Sequence, residues 1–210
     1  MHTPNNPSMP IQQKGYTLVE LGIAIAIVAI LVVAGLTGVQ NILNSNKVND
    51  QLRTTAKLAG RISTAFSSTS TSGATVATVQ TAGGWDPSRV TVAGGNTTVR
   101  SSFNSTETLA FNSTNHSGMS AGSGFVYVIQ EVPQSVCIDL AQGMNNLVYG
   151  LGVVASNSAN ITGLDNIWTT KATGTALLKS PGANTAISLA SANTACTSGT
   201  TVDFLMLLKP

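Results

Sequence analysis

The residue with the clearest chemical consequence lies near the N-terminus, where one carboxylate precedes a long uncharged stretch. Glu20 is the only acid in this region, and no residue from Leu21 to Val39 is charged. About 20 apolar residues form a helix that crosses a bilayer, so this run predicts a membrane span. A carboxylate inside such a span costs about 3 kcal/mol. Glu20 is therefore a candidate functional residue whose partner is to be found.

The segment before the apolar run is polar and rich in Pro and Asn, and it ends in Lys14-Gly15. A secretory signal of the ordinary kind is cut after its apolar core. Here the region Val33 to Gly35 is followed by more helix-like sequence, so no clean cut is predicted there. The alternative is an ordinary signal anchor that keeps Glu20 at the lipid interface, where a carboxylate is tolerated.

The two cysteines, Cys137 and Cys196, offer a second kind of chemistry. They are too few for a four-ligand zinc site, and neither belongs to a CxxC pair. A single disulfide is the natural prediction, and it requires an oxidising compartment. The alternative is a pair of unrelated buried thiols.

Other reactive groups are sparse. His2 lies in the polar segment before the apolar run, so a catalytic triad in the rest of the chain depends on His116, which lies in a polar loop by composition. We predict no catalytic residue, no metal ligand and no cofactor. Only 9% of residues are charged and the net charge is +2, so no specific nucleic-acid site is predicted.

The length of 210 residues suits one globular head and one long helix. No Pro interrupts the chain between Tyr16 and Ser67, so we predict a helix over 16–66, with an apolar part at 16–39 and an amphipathic part at 40–66. The predicted core face is spaced by three and four residues, and the basic residues lie on the other side. The face comprises Leu52, Ala56, Ala59, Ile62 and Phe66, and the basic residues are Lys47, Arg53, Lys57 and Arg61.

The remainder, 67–210, is the predicted head. Ser67 to Pro87 has the composition of a connecting loop. A hairpin is predicted from Arg89 to Arg100, a strand from Gly124 to Val132, and a buried strand from Thr201 to Leu208. A short helix is predicted from Gln134 to Gln142, with Gly143 as its C-terminal stop.

The N-terminal residues Lys14 to Glu20, K-G-Y-T-L-V-E, resemble the class III signal of type IV prepilins. The resemblance implies that a prepilin peptidase cuts after Gly15 and that Tyr16 is N-methylated. It also implies that Glu20, the fifth mature residue, pairs with the N-terminal amine of a neighbouring subunit. Residues 1–15 are then a leader peptide that is removed.

The second half resembles the type IVb branch, which includes bundle-forming and toxin-coregulated pilins. The leader is long, the first cysteine lies in V-C-I-D-L-A after a strand, and Cys196 shortly precedes a final strand. The resemblance implies an α+β fold in which the N-terminal helix packs on an antiparallel sheet and Cys137 and Cys196 close a C-terminal region. It does not separate a major from a minor pilin.

The expected function is that of a structural filament subunit with no enzymatic activity. The resemblance implies an inner-membrane precursor, then an extracellular pilus on a bacterial surface that serves adhesion, aggregation or conjugation. The implied partners are other copies of the chain, the prepilin peptidase and methyltransferase, the assembly platform and its ATPase. Two alternatives remain: a pseudopilin of type II secretion, and a membrane-anchored binding domain that does not polymerise.

Overall fold

The computed structural model describes residues 15–67, 71, 73–93, 96–112, 115, 119–156 and 176–210. The chain separates into two compact units, Met1–Leu43 and Asn44–Pro210. His2 and His116 lie outside the described residues, as does the centre of the predicted hairpin turn at 94–95.

The described residues form four α-helices and seven β-strands. The helices are α1 (Leu18–Phe66), α2 (Val76–Thr81), α3 (Gln134–Met144) and α4 (Leu189–Cys196). The strands are β1 (Val90–Ala93), β2 (Asn96–Arg100), β3 (Thr106–Phe111), β4 (Phe125–Pro133), β5 (Gly150–Ala155), β6 (Leu177–Lys179) and β7 (Thr201–Leu208).

The seven strands form one sheet in the order β1-β2-β3-β4-β7-β5-β6, and every neighbouring pair is antiparallel. The last strand, β7, lies in the middle of this sheet, between β4 and β5. A register shift interrupts β4 between Ile129 and Val132. Glu131 has a φ of 51° at this bulge, and its amide donates to the buried Asp203 carboxylate at 2.8 Å. The predicted fold class, a long helix with an antiparallel sheet, is confirmed.

The core of the second unit is formed by one face of the sheet and the four described helices, with Val79 of α2 among its buried residues. Leu58 and Ile62 of α1, Leu140 of α3 and Ala192 of α4 are fully buried in the same apolar cluster. Residues on the other face of β4 and β7, such as Val126 and Leu205, belong to a second, smaller cluster. Because both faces of these strands are buried, their sequences are continuous apolar runs rather than alternating ones.

Three of the predicted elements are confirmed with small shifts in their bounds. The hairpin is β1 paired with β2, in the register Val90 to Val99. The strand predicted from Gly124 is β4, which begins one residue later. The terminal strand β7 has the predicted bounds, Thr201–Leu208.

The core face of α1 differs from the prediction. The buried residues are Val48, Gln51, Thr55, Leu58 and Ile62. Ala56, a predicted face residue, is exposed, whereas Leu52, Ala59 and Phe66 pack at the edge of the core. The prediction followed apolar residues only. The true face includes two polar residues, Gln51 and Thr55, and is therefore rotated around the helix.

Gly143 does not stop α3, which continues to Met144. A Cβ atom placed at Gly143 would lie 2.5 Å from Cδ1 of Leu52, so the glycine allows α3 to approach α1 closely. The predicted loop from Ser67 to Pro87 also contains a helix that the prediction missed. Thr75 and Thr78 cap α2 reciprocally, and this capping box compensates for its short length.

Candidate functional site

The residues at the start of α1 are accessible. Gly15 is exposed and a Cβ atom placed on it would meet nothing within 4 Å, while Tyr16 is 83% exposed. The helix begins at Leu18 because the Thr17 hydroxyl accepts a hydrogen bond from the Glu20 amide at 3.2 Å, as an N-cap residue does. The bond between Gly15 and Tyr16 thus lies in exposed chain without secondary structure, immediately before a capped helix.

Glu20 lies in the first turn of α1 and is exposed. Within the part of the chain that the structure describes, no cation forms an ion pair with its carboxylate. A helix N-terminus favours a negative charge, but by less than 1 kcal/mol at an exposed site. The carboxylate therefore has no strong partner among the described residues of its own chain.

The apolar residues that follow Glu20 are also exposed. Every residue from 15 to 43 is exposed in the single chain. The helix is long and apolar enough to cross a membrane, with a mean hydropathy of 2.7 over its most apolar window and none of that window buried. An apolar surface of this extent is typical of a segment that contacts lipid or other protein.

The two cysteines are joined. Cys137 lies in α3 and Cys196 is the last residue of α4, and their Cα atoms are 5.8 Å apart. Both are buried, so the disulfide fastens α4 to α3 inside the core. The predicted disulfide is confirmed. Closing a loop of 59 residues stabilises the head by about 4 kcal/mol in the chain-entropy model.

A buried carboxylate, which the sequence analysis missed, joins α1 to the sheet. Glu107 of β3 is 1% exposed. Its Oε2 accepts from Trp85 Nε1 at 2.8 Å, and its Oε1 accepts from Gln51 Nε2 at 2.8 Å. The Tyr127 hydroxyl also hydrogen-bonds to it. Arg89 Nη1 lies 3.7 Å from Oε1 and forms an ion pair. Three hydrogen bonds and one ion pair thus converge on one carboxylate.

Arg89 extends this polar cluster to the surface. Its Nη2 donates to Ser102 Oγ at 2.7 Å and to the Asp50 carboxylate, while Gln51 Oε1 accepts from the Ser102 amide at 2.9 Å. Asp50 and Gln51 belong to α1, whereas Ser102 and Glu107 belong to the β2–β3 region. The cluster is therefore a polar clamp between the helix and the sheet.

Burial and the surrounding polar groups shift the pKa of Glu107 in opposite directions. Desolvation raises the pKa of Glu107, while the bonds from Gln51, Tyr127 and Trp85 and the charge of Arg89 lower it, so that the net shift is upward. Desolvation and the nearby Glu107 charge also raise the pKa of Tyr127 well above 10.0. Tyr127 therefore stays a neutral hydrogen-bond donor.

A signal for the clamp exists in the sequence. Glu107 occupies an inward position of β3, between two threonines in the sequence T-E-T-L-A-F. Gln51 lies on the same face of α1 as Leu58 and Ile62. A buried acid must have donors, so an inward Glu together with an inward Gln predicts a pair. Among the described residues, no group of three His, Cys, Asp or Glu side chains is placed to hold a metal ion.

Comparison with known proteins gives two concordant findings. A family profile described as the prokaryotic N-terminal methylation motif matches residues 11–36, which include Gly15, Tyr16 and Glu20. The structure of the type IVb pilin from Salmonella typhi aligns with a TM-score of 0.51 and 19% sequence identity, over 75% of this chain and 97% of that one. At this identity the likeness shows the fold.

The chain has the fold of a type IVb pilin. TcpA, a type IV pilin from Vibrio cholerae El Tor, aligns with a TM-score of 0.49 and 11% identity, over 77% of this chain and 98% of that one. No curated protein matches the sequence. The chain therefore joins an N-terminal methylation motif to a head with the type IVb pilin fold. The roles of Gly15, Tyr16 and Glu20 remain predictions.

Proposed function

We propose that this chain is the structural subunit of a type IV pilus. It is made as an inner-membrane prepilin, cleaved after Gly15, N-methylated at Tyr16 and polymerised through the apolar part of α1. The observation that carries the proposal is the position of Glu20. An exposed, unneutralised carboxylate stands five residues beyond Gly15, at the start of an apolar helix surface that the described chain leaves uncovered.

Cleavage supplies the partner that Glu20 lacks. Removal of residues 1–15 leaves an ammonium group at Tyr16, four residues before the carboxylate. In an apolar bundle both charges are costly unless they neutralise each other. Pairing Glu20 of one subunit with the amine of a neighbour satisfies both and sets the axial stagger between helices. The chain performs no catalysis in this scheme. The peptidase, the methyltransferase, the assembly platform and the ATPase are separate proteins.

The apolar part of α1 suits both the membrane and the filament, so the helix is retained after cleavage. Its aliphatic side chains are as well accommodated in lipid as in a bundle, so hydrophobic burial alone does not draw a subunit out of the membrane. Packing and charge neutralisation provide the difference in free energy. The filament then carries the heads on its outer surface, where they serve adhesion, aggregation or conjugation.

Intact-mass analysis tests the proposal most directly. The full chain is co-expressed with a prepilin peptidase and purified from membranes and from sheared filaments. The expected mature chain begins at Tyr16 and carries one additional methyl group. Gly15→Leu should remain as uncleaved precursor, whereas Gly22→Leu, which adds the same side chain at an open position within the apolar run, should be cleaved normally.

Each rival function predicts a different result, either in cleavage and filament recovery or in the effect of losing the protein. A membrane-anchored binding domain yields no sheared filaments even when expressed with a complete assembly system. A type II secretion pseudopilin is cleaved, but its loss blocks exoprotein release rather than surface pili. A mature N-terminus beyond Ala34, or a leader retained in fibres, contradicts the prepilin assignment itself.

A further inference from the structure

The backbone changes from exposed chain to helix directly after the proposed cleavage site. Residues 15–17 have no secondary structure, and α1 begins at Leu18. Two hydrogen bonds mark this boundary: the Thr17 hydroxyl accepts from the Glu20 amide at 3.2 Å, and the Thr17 carbonyl accepts from the Leu21 amide at 3.1 Å. An N-cap residue makes both kinds of bond, one through its side chain and one through its carbonyl. Thr17 is therefore the N-cap of α1.

The amino-acid sequence before Gly15 does not oppose a helix strongly. Residues 11–14, I-Q-Q-K, contain neither Pro nor Gly, and Gln and Lys are good helix formers. Pro10 precedes them, and proline is over-represented at the first position of a helix. Gly15 opposes a helix, but a single glycine within a helical pattern is tolerated. The cap at Thr17 is therefore the strongest local signal that starts α1 after the Gly15–Tyr16 bond rather than before it.

A helix across this bond would interfere with its hydrolysis. In an α-helix each carbonyl accepts a hydrogen bond from the amide four residues later, so the Gly15 carbonyl would accept from the Val19 amide. Hydrolysis instead requires access to the carbonyl carbon and hydrogen-bond donors of the enzyme at the carbonyl oxygen, where negative charge develops. The internal hydrogen bond of a helix occupies that oxygen. The bond is thus open to a peptidase only where the chain is not helical.

The spacing T-L-V-E, from Thr17 to Glu20, is that of a capping box. In a complete box the Glu carboxylate also accepts from the amide of the capping residue. Among the described residues only the half made by the Thr17 hydroxyl is formed. The start of α1 therefore depends on that hydroxyl rather than on the Glu20 carboxylate.

We propose that Thr17 is a positioning residue for cleavage, because its hydroxyl cap starts α1 beyond the Gly15–Tyr16 bond and keeps that bond available to the prepilin peptidase. This inference rests on the proposed function. Thr17 acts through the backbone conformation and not through a contact with the reacting atoms. A precursor without the cap spends part of its time with the helix continued through the bond, and in that form it is not a substrate.

Steady-state cleavage of the full-length precursor by a purified prepilin peptidase in detergent tests this role. Thr17→Val keeps the branched shape but removes the oxygen that accepts from Glu20, whereas Thr17→Ser keeps that oxygen. Loss of a Ser or Thr cap shifts a helix equilibrium about fivefold. The apparent KM of Thr17→Val should rise about twofold to fivefold with kcat unchanged, and Thr17→Ser should match wild type. Thr37→Val, the same change at a hydroxyl that donates to Val33 within α1, is the control and should also match.

A second substitution separates the helix start from direct recognition of the hydroxyl by the peptidase. Leu18→Pro places a proline at the first helical position, where it is tolerated, and disfavours helical backbone at residue 17. The helix then starts after the bond with or without the cap. Adding Thr17→Val to Leu18→Pro should therefore leave KM equal to that of Leu18→Pro alone.

Hydrogen exchange of the uncleaved precursor locates the helix start directly. In wild type the amides of residues 16 and 17 should exchange as those of unstructured chain do. In Thr17→Val they should gain protection, because a helix through the bond gives them carbonyl partners four residues earlier. The gain should be about the same factor as the rise in KM, since both quantities report the helical fraction. Leu18→Pro should remove this protection.

The outcomes separate this inference from the proposed function. If the wild-type precursor is not cleaved after Gly15, the proposed function fails and the role of Thr17 falls with it. If wild type is cleaved, the role is overturned by an unchanged KM in Thr17→Val, by an equal rise in Thr37→Val, by a loss of kcat alone, by an uncleaved Leu18→Pro, or by an equal effect of Thr17→Val in the Leu18→Pro background. A rise in KM that matches the gain in amide protection and disappears in that background supports it.

Discussion

The two stretches of α1 have opposite relations to their own chain. From residue 18 to 43 every side chain is exposed, although most are apolar. From Val48 to Ile62 five residues are buried, although two of them, Gln51 and Thr55, are polar. The second stretch obtains both packing and hydrogen bonds from the head. The first is exposed throughout, and we propose that it packs on other copies of the chain. Folding of the head and assembly of the apolar stretch should therefore be separable by mutation.

The sharpest separation is expected from Glu20→Gln. The substitution keeps the shape of the side chain but removes the charge that we propose neutralises Tyr16 of a neighbour. Loss of one member of a buried pair costs about 3 to 5 kcal/mol, and the deficit recurs with every subunit added. Filament yield should collapse while cleavage after Gly15, membrane insertion and head stability remain normal. Sheared filaments are counted against processed, membrane-bound subunit in a strain without the wild-type copy.

Glu131→Gln is the matched control, because it makes the same change at an exposed residue of the head. It should leave filament yield unchanged. Normal filaments at normal yield from Glu20→Gln would remove Glu20 from assembly. A folding defect in Glu20→Gln would contradict the independence of the two stretches.

Cys137→Ser tests the head rather than the apolar stretch of α1. It removes the tie between α3 and α4, which contributes about 4 kcal/mol in the chain-entropy model and is a large part of the stability of an ordinary domain. Protein abundance should fall, and filaments should be lost because the head does not fold. Cleavage after Gly15 should persist in the protein that remains. Alkylation of unreduced wild-type protein measures the pairing itself, and labelling of both thiols would contradict it.

The sequence predicted the regions whose physical signal is local. The uncharged run after Glu20, the hairpin around residues 94–95, and the continuous apolar run of β7 each depend on neighbours in the chain. The errors occurred where distant residues decide. The local pattern predicts a helix stop at Gly143, but this glycine makes room for Leu52, which is far away in sequence. The pattern of apolar residues does not place Gln51 on the core face, because its hydrogen-bond partner, Glu107, lies 56 residues further on.

The polar clamp gives a smaller expected effect within the head. Trp85→Phe keeps a large apolar side chain but removes the N–H group that donates to Glu107 Oε2. Loss of a donor to a buried charged acceptor costs about 1 to 3 kcal/mol. The urea midpoint of the full chain in detergent should fall, and filament yield at moderate temperature should remain. Tyr149→Phe, which changes a hydroxyl outside the clamp, provides the comparison. Equal stability of Trp85→Phe and wild type would show that the hydrogen bond contributes nothing.

The smallest expected effect is a pH dependence that belongs to the head alone. Burial raises the pKa of Glu107 above its usual value of 4.5, against the opposing influence of Gln51, Tyr127, Trp85 and Arg89. As pH falls from neutral, the folded state therefore takes up a proton at Glu107 while the unfolded chain is still ionised. This protonation adds stability as pH falls through the folded pKa, and the gain is complete below the unfolded pKa.

The urea stability of wild type should consequently rise relative to that of Glu107→Gln as pH falls from neutral toward 4.5, with a slope of at most about 1.4 kcal/mol per pH unit. Glu107→Gln removes the titrating group, so the slope should disappear in that variant and persist in Glu131→Gln. The apolar stretch contains no group of this clamp, and cleavage after Gly15 should not follow the same pH profile. If wild type instead loses stability relative to Glu107→Gln as pH falls, the three hydrogen bonds and the charge of Arg89 outweigh desolvation, and the clamp holds Glu107 as a stabilised anion.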